Sequence, residues 1–292
     1  MDTPRLPVAV LVLTQDEAAN IDRCLDSVKA WAAEVWVVDS GSTDDTLERA
    51  RRVTARIAHH PFETYAVQRN WAQDNLDLGQ PWIFHLDADE AVSPKLQAEL
   101  AAFFQREDLE TLQGALVRRR IRFLDRELRW GGLYPTYHCR LFRRGAGRCE
   151  DRRYDQHFVA EGRLARLEAD VVENTAPTLA GWTARHARWA QLEAEELSSD
   201  SAPAEGQVQP DLLGNPIQRR RWAKRSLYGR APRLLRAFAY FLYRYVARLG
   251  FLDGRPGLVY HGLQGFWFRF YIDALALERE GRDPGAHRPS VP

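Results

Sequence analysis

The sequence predicts an α/β fold built on an open, mostly parallel β-sheet that is flanked by helices. Two observations support this prediction. Along the N-terminal third, short apolar runs alternate with stretches in which apolar residues recur at helical spacing, an order typical of parallel sheets. Acidic and small polar residues directly follow two of these runs. Ligands of such sheets bind at the carboxyl ends of the strands, so these residues are expected to line a site.

Three apolar runs are the predicted strands of the parallel sheet. Residues 8–13 form the first and residues 35–38 the second, and such uninterrupted runs are typical of strands buried on both faces. Between them a helix is predicted from apolar residues at helical spacing (Ile21, Leu25, Val28 and Trp31). The third strand, residues 82–86, is followed at once by Asp87-Ala88-Asp89-Glu90.

The second half of the chain is less regular. Short β-like pieces and many arginines occupy residues 114–167, and a helix is predicted over residues 182–197. Residues 198–216 are rich in Ser, Asp, Pro, Gly and Gln, which is typical of a linker. We therefore predict an α/β domain over residues 1–197, a linker over residues 198–217, and a helical, basic-aromatic appendage over residues 218–292.

The composition fits a globular protein of a reducing compartment. Of the 292 residues, 45% are hydrophobic and 28% are charged, which argues against a mainly disordered chain. The three cysteines (Cys24, Cys139 and Cys149) show no paired or metal-ligand spacing, so no disulfide scaffold is predicted. No apolar run is long enough for a transmembrane helix or a signal peptide. We therefore expect a cytoplasmic protein.

Asp87-Ala88-Asp89 predicts a site for a divalent metal ion. Two carboxylates at the end of a buried strand offer the hard oxygen ligands that Mg²⁺ and Mn²⁺ prefer. Such an ion would neutralise and orient a diphosphate leaving group. Acids at this spacing are often only solvated turn residues, but here they follow an apolar strand directly.

Four motifs together resemble those of the family 2 inverting glycosyltransferases, whose fold is called GT-A. They are, in order, Val12-Leu13-Thr14-Gln15-Asp16-Glu17, Asp39-Ser40-Gly41-Ser42-Thr43-Asp44, Gln68-Arg69-Asn70 and Asp87-Ala88-Asp89. The resemblance implies transfer of a sugar from a nucleotide diphosphate-sugar, with a UDP-sugar favoured and Mg²⁺ or Mn²⁺ as cofactor.

The resemblance also implies roles for single residues. Thr14, Glu17 and Asp39 would border the nucleoside. Gln68, Arg69 or Asn70 would lie near the nucleotide. Asp87 would face the ribose, and Asp89, with Asp87 beside it, would hold the metal.

An inverting transfer also needs a general base that takes the proton of the acceptor hydroxyl. The family has a carboxylate downstream of the metal-binding acids, and Asp155 is favoured for this role. Tyr154 and Phe158 would shelter its carboxylate and raise its pKa. Glu150 and Asp151 stay open as alternatives, although their arginine neighbours indicate a solvated charge cluster.

In the family a helix with a Gln-x-x-Arg-Trp motif often follows the base. Arg185-His186-Ala187-Arg188-Trp189 is similar to this motif, with Arg185 in the place of Gln. The resemblance implies that Arg188 contacts the departing diphosphate and that Trp189 stacks near the acceptor. A surface arginine and a packed tryptophan are the alternative interpretation.

The C-terminal region is strongly basic. Residues 212–252 contain ten Arg and Lys and no Asp or Glu, with aromatic residues between them. In the predicted helix over residues 234–249, Arg236, Arg244 and Arg248 cluster on one side, which suits a helix lying on an anionic membrane. An ordinary packing helix with a solvated basic face is the alternative. We expect peripheral binding to the inner face of the cytoplasmic membrane and no nucleic-acid binding.

Two further segments, Tyr134-Pro135 with Arg140–Arg144 and residues 250–257, resemble parts of lipopolysaccharide-core and envelope-polysaccharide β-glycosyltransferases. This resemblance implies a glycan or glycolipid acceptor. Two other functions compete with sugar transfer. A nucleotidyltransferase of related fold would usually carry a Gly-rich loop after the first strand, which Thr14-Gln15-Asp16-Glu17 lacks. A protein that binds a nucleotide or glycan without turnover is the other alternative.

Overall fold

The structure, a computed structural model, describes residues 5–152, 155–175, 178–198 and 206–282. The strands of this part of the chain are β1 (Leu6–Thr14), β2 (Ala32–Asp39), β3 (Ile57–His59), β4 (Trp82–Asp87), β5 (Glu90–Val92), β6 (Leu112–Phe123), β7 (Arg126–Leu128), β8 (Thr136–Arg143), β9 (Gly147–Cys149), β10 (Phe158–Ala160) and β11 (Arg163–Asn174). The α-helices are α1 (Ile21–Asp26), α2 (Thr46–Arg51), α3 (Tyr65–Asn75), α4 (Pro94–Phe103), α5 (Leu179–Ser198), α6 (Pro216–Ala223), α7 (Leu235–Leu242), α8 (Gly254–Tyr260) and α9 (Phe268–Arg282).

One sheet of nine strands forms the centre, in the order β3-β2-β1-β4-β8-β6-β11-β5, with β7 paired to β6. Strands β3, β2, β1 and β4 run parallel, as the sequence predicts. Beyond β4 the sheet is mixed, because β8 is antiparallel to both β4 and β6, while β11 is parallel to β6. Strands β9 and β10 form a separate antiparallel pair.

The alternation of side chains in β1 explains why helices cover both faces of the sheet. Val8, Val10 and Val12 belong to one buried cluster, which also takes in the apolar faces of α1 and α4. Ala9 and Leu11 point the other way, into a second cluster with residues of α3. All five side chains are fully buried, which is why this strand carries no polar residue before Thr14.

The C-terminal helices pack on the α/β part through shared cores. Tyr260 lies in one buried cluster with Phe123 and Trp182, and a second cluster joins α5 to α9 (Ala190, Ala194, Phe268 and Ile272). The predicted linker over residues 198–217 is corrected in its second half, because Val208 and Ile217 are buried in the core beside β8 and β9. Residues 199–205 of that linker lie outside the described residues.

The predicted basic face of the helix over residues 234–249 is also corrected. Arg236 is buried and its guanidinium pairs with Asp273 of α9. Arg244, also buried, donates from Nε to the carbonyl oxygen of Gly131 over 2.8 Å. The outer surface of α7 and the π-helical turn that follows it (Tyr243–Ala247) is largely apolar, with exposed side chains at Leu235, Phe238, Leu242 and Val246. No helix within the described ranges combines the length and the hydropathy needed to cross a bilayer.

Candidate active site

A cleft of about 1880 Å³ opens at the carboxyl ends of β1 and β4 and is lined on its other sides by α5, α6 and α7. Thr14 pairs with Asp39 of β2, and Leu13 pairs with Asp87 of β4, so these strand ends meet at one edge. Most of the residues predicted from the sequence line this cleft (Thr14, Glu17, Gln68, Asp87, Asp89, Asp155, Arg185, Arg188 and Trp189).

The turn after β2 is held by Asp39, whose carboxylate accepts from the backbone of Gly41 over 2.9 Å and from the Ser42 hydroxyl over 2.5 Å. Gly41 permits this turn because its φ is +96°. Asp39 also lines an adjoining pocket of about 700 Å³ with Ile57 and His59. The two cavities therefore flank the turn on the side where the nucleoside is predicted.

The α3 motif is divided between the cleft and the core. Gln68 donates to the Ser40 hydroxyl and so faces the turn. Asn70 does not line the cleft, because its amide donates to the carbonyl oxygen of Cys149 and accepts from the Cys149 backbone N–H, both over 2.9 Å. The prediction that Asn70 contacts the nucleotide is therefore corrected: Asn70 fastens α3 to β9.

The carboxylate of Asp87 is already neutralised by arginines. Arg69 Nη2 lies 2.8 Å from its Oδ1, and Arg140 Nη2 lies 3.3 Å from its Oδ2. Burial opposes ionisation of Asp87, but these two guanidinium groups outweigh it and hold the pKa well below its usual range. The charge of Asp87 therefore has two cationic partners within the protein, and its sharing of the metal stays a prediction.

The carboxylate of Asp89 is in the opposite situation. Burial raises its pKa well above the usual range, and the negative charges of Glu173, Asp87, Glu90 and Glu17 raise it further. Among the described residues it has no cationic partner, since Arg23 bonds only to its backbone carbonyl oxygen. This site therefore favours a bound cation.

Within the described ranges, no group of three or more His, Cys, Asp or Glu side chains is arranged to hold a metal ion. Asp89 alone nevertheless fits Mg²⁺ or Mn²⁺ as part of a shared site. Mg²⁺ usually keeps several waters and binds one or two carboxylates together with phosphate oxygens of the substrate. Asp89 therefore stays a candidate ligand for such an ion.

Asp155 lines the cleft and is held by Lys224, whose Nζ lies 2.9 Å from its Oδ2 and 2.7 Å from Oε1 of Glu193 in α5. Burial would raise the pKa of Asp155, but Lys224 and His157 outweigh burial and place the pKa well below its usual range. The expectation that aromatic neighbours raise this pKa is thus wrong. Tyr154 lies outside the described residues, and Phe158 packs against Phe142 and His85 instead.

The alternative carboxylates do not line the cleft. Glu150 is buried and accepts from the backbone of His157 over 2.8 Å, from the backbone of Val208 over 3.1 Å and from Arg221 over 2.6 Å. Asp151 is exposed on the surface. Geometry therefore favours Asp155 as the base, and that role stays a prediction.

Helix α5 forms the wall opposite the strand ends. The Arg185 guanidinium lies 5.2 Å from the centre of the Trp189 ring, and its Nη1 lies 3.9 Å from Oε1 of Glu17. Arg188 is exposed in the cleft and has no ion-pair partner in the part of the chain that the structure describes. The predicted diphosphate and nucleoside residues thus face each other across one opening.

The sequence alone does not reveal the charged residues that surround Asp87, Asp89 and Asp155. Arg140, Glu173, Glu193 and Lys224 come from β8, β11, α5 and the π-helical turn Lys224–Tyr228 that continues α6. Lys224 belongs to the basic region of residues 212–252, which the sequence predicts to be a membrane-binding face. Arg69 belongs to the motif Gln68-Arg69-Asn70, but the sequence does not indicate that it pairs with Asp87.

The sequence profile of Glycosyl transferase family 2 matches residues 9–158, which run from β1 through Asp87-Ala88-Asp89 to Phe158. The chain belongs to this family. It is a glycosyltransferase with the GT-A fold, as the four motifs predict, and the C-terminal helices complete its architecture.

This family 2 glycosyltransferase is similar to LpsC of Rhizobium meliloti (strain 1021), a lipopolysaccharide core biosynthesis glycosyltransferase. They are 29% identical over 180 residues, which cover 60% of this chain and 65% of LpsC. An uncharacterized glycosyltransferase of Rickettsia felis is 39% identical over 97 residues, so the match spans only about a third of each protein. The crystal structure of S. aureus TarS 1-349 covers 97% of this chain with a TM-score of 0.45 and 15% identity.

Proposed function

We propose that this glycosyltransferase moves a sugar, with inversion, from a nucleotide diphosphate-sugar to a hydroxyl of an envelope glycan or lipid-linked glycan. A UDP-sugar is the favoured donor, and Mg²⁺ or Mn²⁺ is the cofactor. One observation carries the proposal: among the described residues, the Asp89 carboxyl group and the Arg188 guanidinium both lack an ion-pair partner, and they face the same cleft as the ionised Asp155. A cation site, an anion site and a base therefore meet in one cavity.

On the donor side, the protein residues bind and orient the leaving group. A divalent ion on Asp89 would supply neutralising charge to the diphosphate. Arg188 and Arg185, on the opposite wall, can donate several hydrogen bonds to phosphate oxygens, since a guanidinium matches that geometry. The Thr14 hydroxyl is buried without a hydrogen-bond partner at the end of β1 and can bond to the nucleoside.

On the acceptor side, Asp155 removes the proton from the acceptor hydroxyl. The acceptor oxygen then bonds to the anomeric carbon as the bond from that carbon to the diphosphate oxygen breaks. The depressed pKa keeps Asp155 ionised at neutral pH, which is the state that can accept a proton. Lys224 fixes the orientation of the carboxylate from one of its oxygens.

The similarity to LpsC supports a glycan or glycolipid acceptor of the cell envelope. The apolar outer surface of α7 and the exposed arginines of the same region (Arg225, Arg230, Arg248 and Arg255) support attachment to an anionic membrane. Apolar side chains insert into the interface while arginines meet anionic headgroups. We place the protein on the cytoplasmic face of the membrane, beside a lipid-linked acceptor.

The first test is a thermal-shift screen of UDP, GDP, CMP and dTDP, each with and without Mn²⁺. A ligand of the folded state raises its stability with the logarithm of ligand concentration over Kd, so the cognate nucleotide should raise Tm more when metal is present. A panel of sugar donors of that nucleotide then tests turnover. A chain stabilised by no nucleotide would contradict the proposal, and one that binds a nucleotide but neither transfers nor hydrolyses any donor would be a binding protein.

A further inference from the structure

The cleft continues past Asp155 into a region that the donor does not need. Its walls here carry Arg119 of β6, His138 of β8, Arg220 of α6, and Tyr240 with Arg244 from α7 and the turn after it. These five side chains come from five successive or separate elements of the chain. Their shared property is positive charge or the ability to donate a hydrogen bond.

Arg220 is the central group because it has no partner. Among the described residues no carboxylate or hydrogen-bond acceptor contacts its guanidinium. The Arg220 side chain is exposed along the cleft wall. Partial desolvation there lowers its pKa, and the charges of Arg119 and Arg244 lower it further, against opposing contributions from Tyr240 and Asp155. A cation that faces two other cations gains from a bound anion.

The neighbouring arginines show that this lack of a partner is specific. Arg221, the next residue, pairs with Glu150 over 2.6 Å. Arg236 pairs with Asp273, and Arg119 pairs with Glu173 over 3.0 Å. Arg244 bonds to the carbonyl oxygen of Gly131 and to the Tyr240 hydroxyl, neither of which is an acid. The wall therefore keeps an excess of positive charge after its ion pairs are formed.

His138 supplies an independent observation. Its Nε2 is buried and has no hydrogen-bond partner among the residues that the structure describes, although the ring lines the cleft. The ring stacks on His157 at 5.8 Å, with 4° between the planes. Burial holds its pKa well below the usual range, and Arg119 and Arg140 lower it further. The neutral imidazole therefore has one ring nitrogen without a hydrogen bond in the cleft wall. Such a buried polar atom destabilises the folded protein unless a ligand bonds to it.

The donor diphosphate does not account for these groups. On the strand-end side, Arg69 and Arg140 are engaged by Asp87. On the opposite wall, Arg185 and Arg188 of α5 are the groups proposed to bind the diphosphate. Arg220 interacts instead with Asp155, Arg119 and Arg244. It lies beside the proposed base, where the acceptor must enter.

We propose that Arg220, together with Arg244, Arg119 and His138, binds an anionic group, a phosphate or a carboxylate, of the acceptor glycan. This inference rests on the proposed function, because it takes Asp155 as the base that the acceptor hydroxyl approaches. The subsite places an anion beside that hydroxyl, so a charged glycan is selected over its neutral counterpart. Tyr240 and Tyr260 line the same wall and offer ring faces to the sugar.

The test measures anion binding by the full chain saturated with Mg²⁺ and the nucleotide that stabilises it most, so that the diphosphate site is filled. The probes are inorganic phosphate and glucuronate, and the readout is the imidazole resonances of His138. The wild type should bind at least one probe, and binding should raise the pKa of His138, because an anion favours the imidazolium. Phosphate binding alone would identify a phosphorylated acceptor, and glucuronate binding alone an acidic sugar.

The variant is Arg220→Gln. We expect it to weaken binding of the probe by about tenfold or more, the worth of one charged hydrogen-bonded contact, while the nucleotide-dependent rise in Tm is unchanged. Arg220→Lys keeps the charge but loses the planar fork, so it should retain part of the binding. Arg225→Gln is the matched control, since Arg225 is exposed on the next turn and does not line the cleft.

Two results would overturn the subsite. One is a wild-type protein that binds its nucleotide but neither anion. The other is equal anion binding by the Arg220→Gln variant and the wild type. Both leave the proposed sugar transfer standing, whereas a chain that no nucleotide stabilises contradicts the proposed function itself.

Discussion

Asp87 and Asp89 are two positions apart, yet their surroundings give their carboxylates opposite electrostatic roles. The Asp87 carboxylate forms ion pairs with Arg69 and Arg140. The Asp89 carboxyl group has no ion-pair partner among the described residues, and burial raises the pKa of the neighbouring Glu90 to about 7 despite Arg140. Asp87 is the last residue of β4, whereas Asp89 lies in the turn between β4 and β5, so the two carboxyl groups meet different neighbours. Asp87 is therefore paired within the protein, whereas the Asp89 carboxyl group is available to a ligand.

Asp89→Asn should stabilise the metal-free protein near neutral pH and inactivate it. A carboxyl whose pKa is raised by folding stays protonated to higher pH than in the unfolded chain, so its ionisation destabilises the fold as pH rises. Asparagine removes that penalty. We expect a higher Tm near neutral pH, no Mn²⁺-dependent nucleotide shift, and a fall in kcat of about 10²-fold or more.

Thermal melts across pH, with Asp77→Asn as a control at an exposed acid, measure the first two effects. A metal-dependent nucleotide shift that persists in Asp89→Asn would remove Asp89 from the metal site.

Asp155→Asn should leave nucleotide binding nearly unchanged and lower kcat by about 10²–10⁴-fold, because only proton acceptance is lost. Single-turnover rates and nucleotide titrations separate the two effects. Asp151→Asn is the control, since Asp151 lies outside the cleft. The assignment is wrong if the control is inactive and Asp155→Asn keeps most of its rate.

At the scale of elements, α7 joins two surfaces with different chemistry. Its inner side carries Arg236, which makes a bidentate contact with Asp273 of α9. Its outer side exposes Leu235 (70%), Phe238 (53%) and, in the following turn, Val246 (54%). The charge holds the helix to the protein, and the apolar side chains face outward. A membrane contact made by this helix would therefore be mainly apolar.

Arg236→Ala should destabilise the fold by about 3–5 kcal/mol, because it leaves Asp273 buried without a countercharge. Arg233→Ala is the matched control three residues earlier, where Arg233 meets Glu280 in a pair that is partly exposed on both sides. That pair should be worth at most about 1 kcal/mol. Denaturant unfolding measures both changes in the free energy of unfolding. Equal decreases for the two variants would show that burial does not make the Arg236–Asp273 pair more important for stability.

Leu235→Glu combined with Val246→Glu should release the protein from anionic vesicles. Apolar insertion is not screened by salt, so the wild type should stay largely bound at high ionic strength, with only the headgroup contribution of the arginines lost. Co-sedimentation at low and high salt measures this. Leu213→Glu is the control, because Leu213 is 93% exposed in the loop before α6. A wild type that never sediments with vesicles would contradict the membrane face.

At the scale of the whole molecule, local patterns predicted β1, β2, β4 and the acids at their ends, because buried strands and turns have signals within a few residues. The ion pairs that set the site are not local. Lys224 and Asp155 are 69 positions apart, and Arg140 and Asp87 are 53 apart. No spacing rule links such positions, which is why the direction of the Asp155 pKa and the inward orientation of Arg236 and Arg244 were missed.

A chain that stops at residue 198 should lose cooperative folding rather than yield a free catalytic domain. Phe123 and Trp182 would lose Tyr260 from their shared cluster, and Val208 and Ile217 would be missing from the core beside β8 and β9. Each large apolar side chain so exposed costs roughly 1.5–3 kcal/mol. Near-ultraviolet circular dichroism should show one sharp transition for the full chain and none for the shortened one. A sharp transition in the shortened chain would establish an independent domain.

The double pairing of Lys224 also bears on the order in which the protein becomes active during its synthesis. The donor-side loops leave the ribosome early, whereas the ammonium that contacts Asp155 and Glu193 follows Asp155 by 69 residues. At about 5–20 residues per second, that interval lasts several seconds. Throughout it, a nascent chain has the nucleotide-side loops, but Asp155 and Glu193 lack their ammonium partner, so the proposed base would be fixed in place late. Translation that ends within this interval is then expected to release a truncated chain that does not consume the activated sugar donor.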